Sequence, residues 1–456
     1  MSNVHMNQSA PARQLSSDRD FSSWQELYQA KLCTAQEAAA GVQSDDLLFI
    51  GGGTGIPKAF ANAVGLRASE LRNVTIYQGY AMDLYEYMKP EYKESFNIET
   101  MFVGPMERVC MEWGIAHYVP LHLAEIPDIA RSKTFDKVSF MATPPDENGY
   151  MNRSCFGSFC PNEECIRRSD VVIAEVNQNT PWLASDDFKI HVSEVDHIIE
   201  NHAPIFVLPE IPISQTEKTM AGYIADLIPD GATIQIGFGG LANAIGHLLL
   251  DKKDLGMHSE IVTPSVMELM KKGVINGSKK TFMPGKIVSA FAIGTQEFYD
   301  FINKNVDFYF KEIGWVNNPD IIAMNDNLIS VNTALMIDLT GQVAAESIGT
   351  KQYSGSGGQV NFVHGARKSN GGRSIIALKS SYTNKEGTLH SKIVPTFPAG
   401  TIVTTSRNDV QYIVTEYGAV NLRYESIEKR TKKLISIAHP DYRDELTFEA
   451  KKIGLI

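Results

Sequence analysis

The sequence predicts an α/β protein made of two related open, largely parallel sheets, and three observations carry that reading. Short β-branched runs recur along the chain with helical patterns between them. A strand, a glycine-rich turn and a helix start occur twice with matching flanks. The 456 residues also exceed one ordinary core, so about two to three domains are expected.

The strand-like runs come in order. Asp46–Gly53, Asn73–Gly79, Lys137–Pro145, Asp170–Asn177 and Ala203–Glu210 lie in the first part. Thr233–Gly240, Ser374–Ser381, Thr401–Ser406 and Tyr412–Gly418 lie in the second. Most are apolar at successive positions, the pattern of strands covered on both faces by helices. The repeat is sharper. Asp46-Leu47-Leu48-Phe49-Ile50 leads into Gly51-Gly52-Gly53-Thr54-Gly55, and Ala232-Thr233-Ile234-Gln235-Ile236 leads into Gly237-Phe238-Gly239-Gly240-Leu241. One gap aligns them, which points to two related halves. The proline-bearing stretch around Pro209, Pro212 and Gln215, ahead of a helical pattern over Lys218–Ile228, separates them. The expected organisation is a polar tail over 1–20, an N-terminal domain over 21–214 and a C-terminal domain over 215–456.

Composition narrows the class. Apolar residues make up 43% and charged residues 21%, which suits a globular core that needs neither disulfide nor metal. The net charge of −11 and scattered Lys and Arg give no nucleic-acid footprint. Met1–Asp20 is polar and lacks an apolar signal core, and no apolar run reaches the length of a membrane span. A soluble, cytoplasmic chain is therefore expected. Cys155, Cys160 and Cys165 recur every five residues, a spacing unlike chelating knuckles, so they and Cys33 and Cys110 read as reduced thiols.

Glycine-rich turns between strand and helix let a ligand approach backbone N–H groups. Three stand out: Gly51–Gly55, Gly237–Gly240 and Gly355–Gly358. Any one of them alone is read as a tight turn. Gly237-Phe238-Gly239-Gly240-Leu241-Ala242 also fits a dinucleotide fingerprint with an acidic residue, Glu260, about twenty positions on. In such a fold that residue ends a second buried strand. The segment Asp251–Ser259 is too polar to read as one, so the nicotinamide reading is set aside. Glu260 alone would pass for a solvated or capping glutamate.

The landmarks taken together carry more. They are Glu175-Val176-Asn177 with Pro181, Ile236–Ala244, Leu255-Gly256-Met257-His258-Ser259-Glu260 and Asp338-Leu339-Thr340-Gly341-Gln342. Gly357-Gly358-Gln359-Val360-Asn361-Phe362, Val414–Gly418 and Ala438-His439-Pro440 follow. In this order they resemble the acetyl-CoA hydrolase/transferase family, in particular its 4-hydroxybutyrate and butyryl-CoA:acetate CoA-transferase branch. The resemblance runs from about residue 25 to the C-terminus. It implies two α/β CoA-transferase domains with the active site in the cleft between them.

The same resemblance implies the roles. Glu260 would be the nucleophile, and Gly237, Phe238, Gly239 and Gly240 a coenzyme A-binding loop. Gly357 and Gly358 would belong to the loop whose backbone N–H polarises the thioester carbonyl; Asn317 and Lys379 would contact CoA. No metal is implied, and no cofactor beyond the co-substrate coenzyme A or acyl-CoA. Acetyl-CoA is the expected donor and 4-hydroxybutyrate or butyrate the expected acid, with a dicarboxylate such as itaconate or succinate, or hydrolysis, as the alternative. A ping-pong route through a glutamyl-CoA thioester and a homodimer or homotetramer are implied as well.

The chain departs from the family pattern at Thr263-Pro264-Ser265 and at Asn361, both expected near the acyl pocket. Glu175 and Asn177 either line the cleft or cap the next segment, and Arg108 either holds a substrate carboxylate or sits on the surface. Arg407 and His364 carry no assignment; His258 and Ser259 read as local hydrogen-bonding groups or as groups that tune Glu260.

Overall fold

The computed structural model describes residues 21–209 and 211–456, so the polar tail over 1–20 lies outside the described residues. Two large sheets carry the chain. In the first, β1 (Leu47–Ile50), β2 (Val74–Gln78), β3 (Phe96–Thr100), β4 (Ala116–Tyr118), β5 (Lys137–Ala142), β6 (Val171–Val176) and β7 (His197–Glu200) lie in the order 4-3-2-1-5-6-7. In the second, β8 (Thr233–Ile236), β9 (Gly256–Val262), β10 (Ile287–Ala292), β11 (Phe308–Phe310), β12 (Leu328–Thr333), β13 (Arg373–Ala377) and β14 (Tyr412–Thr415) lie in the order 11-10-9-8-12-13-14. An antiparallel edge strand, β15 (Gly418–Asn421), closes it. Adding seven to each label of the first sheet reproduces the second, so the duplication read from two glycine loops extends through the whole topology. All other ladders in both sheets are parallel. One apolar core runs through both halves, including Phe140 and Val172 from the first and Ile234 and Val288 from the second.

Three sequence expectations change. Residues 203–209 form no strand; prolines at 204 and 209 remove ladder donors, and the segment straps the second half through Leu208 N to Gly294 O at 2.8 Å and Tyr299 Oη to Phe206 O at 2.8 Å. The edge position goes to β7, which the pattern did not single out. Thr401–Ser406 likewise forms no strand, with Ile402 and Val403 exposed. Finally, Gly256–Ser259 is a buried strand after all. Its polar members are satisfied inside: Ser259 Oγ donates to Ile236 O at 3.1 Å and His258 Nε2 to Val316 O at 2.8 Å. Burial of a polar group costs little once it is hydrogen-bonded, which is why a short polar-looking run sits inside a sheet.

The two duplicated glycine loops have opposite fates. In the first half, a Cβ on Gly53 would lie 2.2 Å from the Phe156 ring, and one on Gly52 would lie 3.1 Å from Phe159 Cβ. Cys160 Sγ presses on Gly51 and Gly55. The loop is plugged by its own chain. In the second half, Gly237 and Gly239 have open space where a side chain would go. Strand registers extend the comparison: Leu47 pairs with Thr75 and Thr233 with Gly256, so Gly79 in the first half occupies the place of Glu260 in the second. A Cβ on Gly79 would meet Phe159 Cδ1 at 2.5 Å.

Cys110, Cys155, Cys160 and Cys165 are buried and Cys33 is half-buried; all five are free thiols, and burial raises each above its ordinary pKa. Among the described residues no helix is long and apolar enough to cross a membrane.

Because Gly53 (φ +57°) is both left-handed and in contact with Phe156, Gly53→Ala should cost about 2–3 kcal/mol of stability. Gly237→Ala, which meets nothing, should change it by less than about 0.5 kcal/mol. Urea denaturation of the two variants measures both, and equal losses would contradict the plugged-and-open contrast.

Candidate active site

Glu260 stands near the C-terminal end of β9, the end at which parallel sheets collect ligands. Its neighbours come from two further elements. Asn317 is fully buried and terminates a short helix, α1 (Ile313–Val316); its Nδ2 donates to Glu260 Oε2 at 2.6 Å. Gly358 is the N-cap of α2 (Gln359–Lys368), and a Cβ there would lie 2.1 Å from Glu260 Oε2. Only glycine lets the backbone approach this carboxylate.

The loop before α2 is held from the first half. Ser356 Oγ donates to Leu121 O at 2.9 Å and Leu123 N to Gly357 O at 3.3 Å. Gly357 takes φ +58°, a left-handed turn that aims the chain into α2. Arg108 Nη1 donates to Tyr353 O at 2.8 Å, and its guanidinium lies 4.4 Å over the Tyr353 ring. Arg108 therefore braces this loop from the outside.

His258, two residues before Glu260, braces the other side. Its ring stacks on Trp315 with centroids 6.2 Å apart, and its bond to Val316 O fixes the peptide leading to Asn317. Burial, with a smaller push from Lys280, pulls His258 down to about 4, so the ring is neutral and Nε2 carries the proton it donates. The acid–base state of Glu260 is shifted the opposite way. Burial raises its carboxyl to about 7, partly offset by the Asn317 hydrogen bond, with no cation among the causes.

Glu260 opens onto a cavity of about 230 Å³ that also meets Gly237, Phe238, Gly357 and Gly358. Phe102 of the first half and Phe291 of β10 contribute aromatic walls. Phe291 in turn packs 5.0 Å from both Phe156 and Phe159, so the plug of the first glycine loop supports this wall. Phe102, Phe291 and Gln235 are lining residues that sequence reasoning missed; only their place at or beside strand ends could have suggested them.

The remaining assignments separate. Gly239 and Gly240 continue the open loop into α-helical residues Gly240–Leu248. Lys379 Nζ instead lies 3.5 Å from Glu217 Oε1, away from the cavity lining. The Glu217 carboxylate sits 2.9 Å from where a Gly240 Cβ would be. The buried strand whose absence set the nicotinamide reading aside is present in the structure, so that ground does not hold. Glu175 is fully buried, accepting from Ala59 N and Phe60 N at 2.9 and 3.1 Å, and so caps a helix, and Asn177 Nδ2 donates to Ala203 O at 2.8 Å. His364 and Arg367 both face Asp409. Asn361 is buried in the first turn of α2 with its Oδ1 unpartnered, outside the cavity lining. Among the described residues no group of three or more His, Cys, Asp or Glu is gathered for a metal.

Comparison with known proteins places the chain. The acetyl-CoA hydrolase/transferase N-terminal domain matches residues 15–209 and the C-terminal domain of the same family matches residues 294–450. The chain belongs to the acetyl-CoA hydrolase/transferase family. The 4-hydroxybutyrate coenzyme A transferase of Clostridium kluyveri is 39% identical over 431 residues, 94% of this chain and 99% of that one. The butyryl-CoA:acetate CoA-transferase of Anaerostipes caccae is 38% identical over 441 residues, 94% and 98% of the two chains. The crystal structure of RipA from Yersinia pestis superposes with a TM-score of 0.88 at 36% identity, covering 95% of this chain and 100% of that one. Residues 210–293, which carry Glu260, fall between the two family matches.

A carboxyl raised to about 7 keeps its proton in the folded chain across the interval from 4.5 to 7, where the unfolded chain has lost it. Stability therefore falls as pH rises through that window. Carboxyl ¹³C NMR should show Glu260 titrating near 7, alongside Glu107 and Glu312, which burial also raises to about 7; Glu260→Gln should remove its signal and Asn317→Ala should move its midpoint higher. Glu260→Gln should gain about 1–2 kcal/mol over the parent at pH 8 and little at pH 5. A Glu260 midpoint in the ordinary carboxylate range contradicts the desolvated site.

Proposed function

We propose that this chain is a CoA-transferase that moves coenzyme A between an acyl-CoA, acetyl-CoA among them, and a short carboxylic acid such as 4-hydroxybutyrate or butyrate. The observation that carries this reading is the Glu260 carboxylate, bonded to Asn317 and pressed against Gly358 at the mouth of an open glycine loop. The names of the relatives support the substrate class. The site would lie in the cleft between the domains over 21–214 and 215–456, since Phe102 reaches it from one and Glu260 from the other.

In this reading a Glu260 oxygen attacks the thioester carbon, a C–O bond forms, the C–S bond breaks and CoA leaves as thiolate. The thiolate attacks the glutamyl carbonyl of the resulting anhydride; the C–O bond to that carbonyl breaks and the first acid departs as carboxylate. Glu260 is left as a glutamyl-CoA thioester. A second carboxylate attacks that thioester and expels the thiolate, which then takes the new acyl group and returns Glu260 to its carboxylate. No net proton is consumed, and this is nucleophilic catalysis by a carboxylate.

Each attack develops an oxyanion, and the Gly357 and Gly358 amides are the backbone donors beside it; one such donor is worth about 2.7–4 kcal/mol of barrier. The 230 Å³ cavity has room for a short acyl group and the thiol end of CoA, leaving the rest of the cofactor to run out past Gly237–Gly240. Asn317 and Lys379 retain their assigned role as CoA contacts in this reading, the first directly beside the thioester and the second further out. Family resemblance supports a cytoplasmic homodimer or homotetramer, for which light scattering should give two or four chain masses.

Incubation with acetyl-CoA alone should leave a CoA adduct on Glu260, seen by mass spectrometry and removed by acetate. Glu260→Ala should abolish it with folding intact. Gly358→Ala, whose Cβ would displace the carboxylate, should cut transfer by about 100-fold or more. Release of free CoA faster than formation of a new CoA ester would make the chain a hydrolase instead.

A further inference from the structure

We propose that the acid accepting CoA carries no charge beyond the carboxylate that reacts, so that its tail is apolar or hydroxylated; this rests on the transferase reading above. Among the described residues lining the cavity, Glu260 is the only ionisable side chain; no Lys, Arg or His lines it. Its apolar lining includes Phe102, Ile261, Phe291 and Phe362, with the neutral groups of Asn332 and Ser354 among the polar ones.

The arginine and lysine near the lining segments are committed elsewhere: Arg108 spans Tyr353 and Lys379 faces Glu217. His122 lies near Glu346, whose carboxyl burial raises, and its buried Nδ1 has no partner, but it is not part of the lining. A distal carboxylate would therefore leave water for a cavity that offers it no counter-ion, at the stage when Glu260 is held as an uncharged thioester. Burying a charge without a counter-ion is disfavoured. A hydroxyl meets no such barrier, because neutral hydrogen-bonding groups are present. The cavity thus admits 4-hydroxybutyrate and butyrate and refuses succinate and itaconate on charge, whatever direction the tail takes.

The test uses the full-length enzyme with acetyl-CoA as donor at pH 7.5 and follows CoA esters by chromatography. The acids are butyrate, 4-hydroxybutyrate, succinate and succinamate, the last being succinate with its distal charge removed at almost unchanged shape. kcat/KM for butyrate and 4-hydroxybutyrate should exceed that for succinate by about 100-fold or more, and succinamate should fall within about tenfold of butyrate. Succinate within threefold of butyrate, or succinamate as poor as succinate, would overturn the inference. The adduct experiment separates the two levels of failure. A CoA adduct on Glu260 together with efficient use of succinate defeats the charge argument alone. Absence of any adduct and of transfer to any of the four acids defeats the transferase reading, and this inference with it.

Discussion

The half-buried Glu260 carboxylate is pinned between Gly358 and Asn317, and much of the structure exists to hold it there. Three elements distant in sequence must meet within a few ångströms: the end of β9, the end of α1 and the start of α2. None of these contacts is strong enough to order the others. Order comes from behind. His258 ties β9 to α1 through Val316 O, and the first half ties the loop before α2 through Leu121, Leu123 and Arg108. Such positioning, supplied by packing rather than by the reacting groups, is what holds a nucleophile within the tolerance its chemistry needs.

The duplication explains why only one half carries this arrangement. Both halves make the same sheet, and both present a glycine loop after the first strand. In the first half the loop is filled by Phe156, Phe159 and Cys160, and the counterpart of Glu260 is Gly79, overlain by Phe159. The aromatic plug does not idle: through Phe291 it forms the floor behind the cavity of the second half. One copy of the fold has turned its ligand space into structural support for the other, which fits the general rule that function is grafted onto a fold rather than dictated by it.

How much of this was legible in the sequence follows from the range of each interaction. The strand–turn–helix units are local, and their pattern of β-branched runs and glycines gave the two sheets and their relation. β9 was illegible because Gly256, His258 and Ser259 look like a turn; their partners Ile236 O and Val316 O lie 23 and 58 residues away. The segment 203–209 misled in the other direction, since its apolar residues pack on the second half while its prolines forbid a ladder. Glu260 and Gly358 emerged only through motif resemblance, and Phe102 and Phe291 not at all, because an aromatic wall carries no local mark separating it from core. The plug over Gly51–Gly55 was equally hidden: glycines that admit a ligand and glycines that admit a phenylalanine look alike in sequence.

That no cation stands beside Glu260 among the described residues has a chemical logic. In the proposed cycle one negative charge moves from the glutamate to the departing thiolate, through two oxyanions, and back. A fixed Lys or Arg on the carboxylate would stabilise the resting anion most and so deepen the ground state, and only interactions stronger in the transition state lower the barrier. Asn317 and the Gly358 backbone are neutral dipoles. They hold the carboxylate in place and raise its reactivity by keeping water away, while burial leaves its carboxyl near 7, ionised to a useful extent around neutral pH. In the proposed cycle a cavity so arranged uses neutral groups for catalysis, and its described lining has no positive charge left over with which to recognise a second acid group.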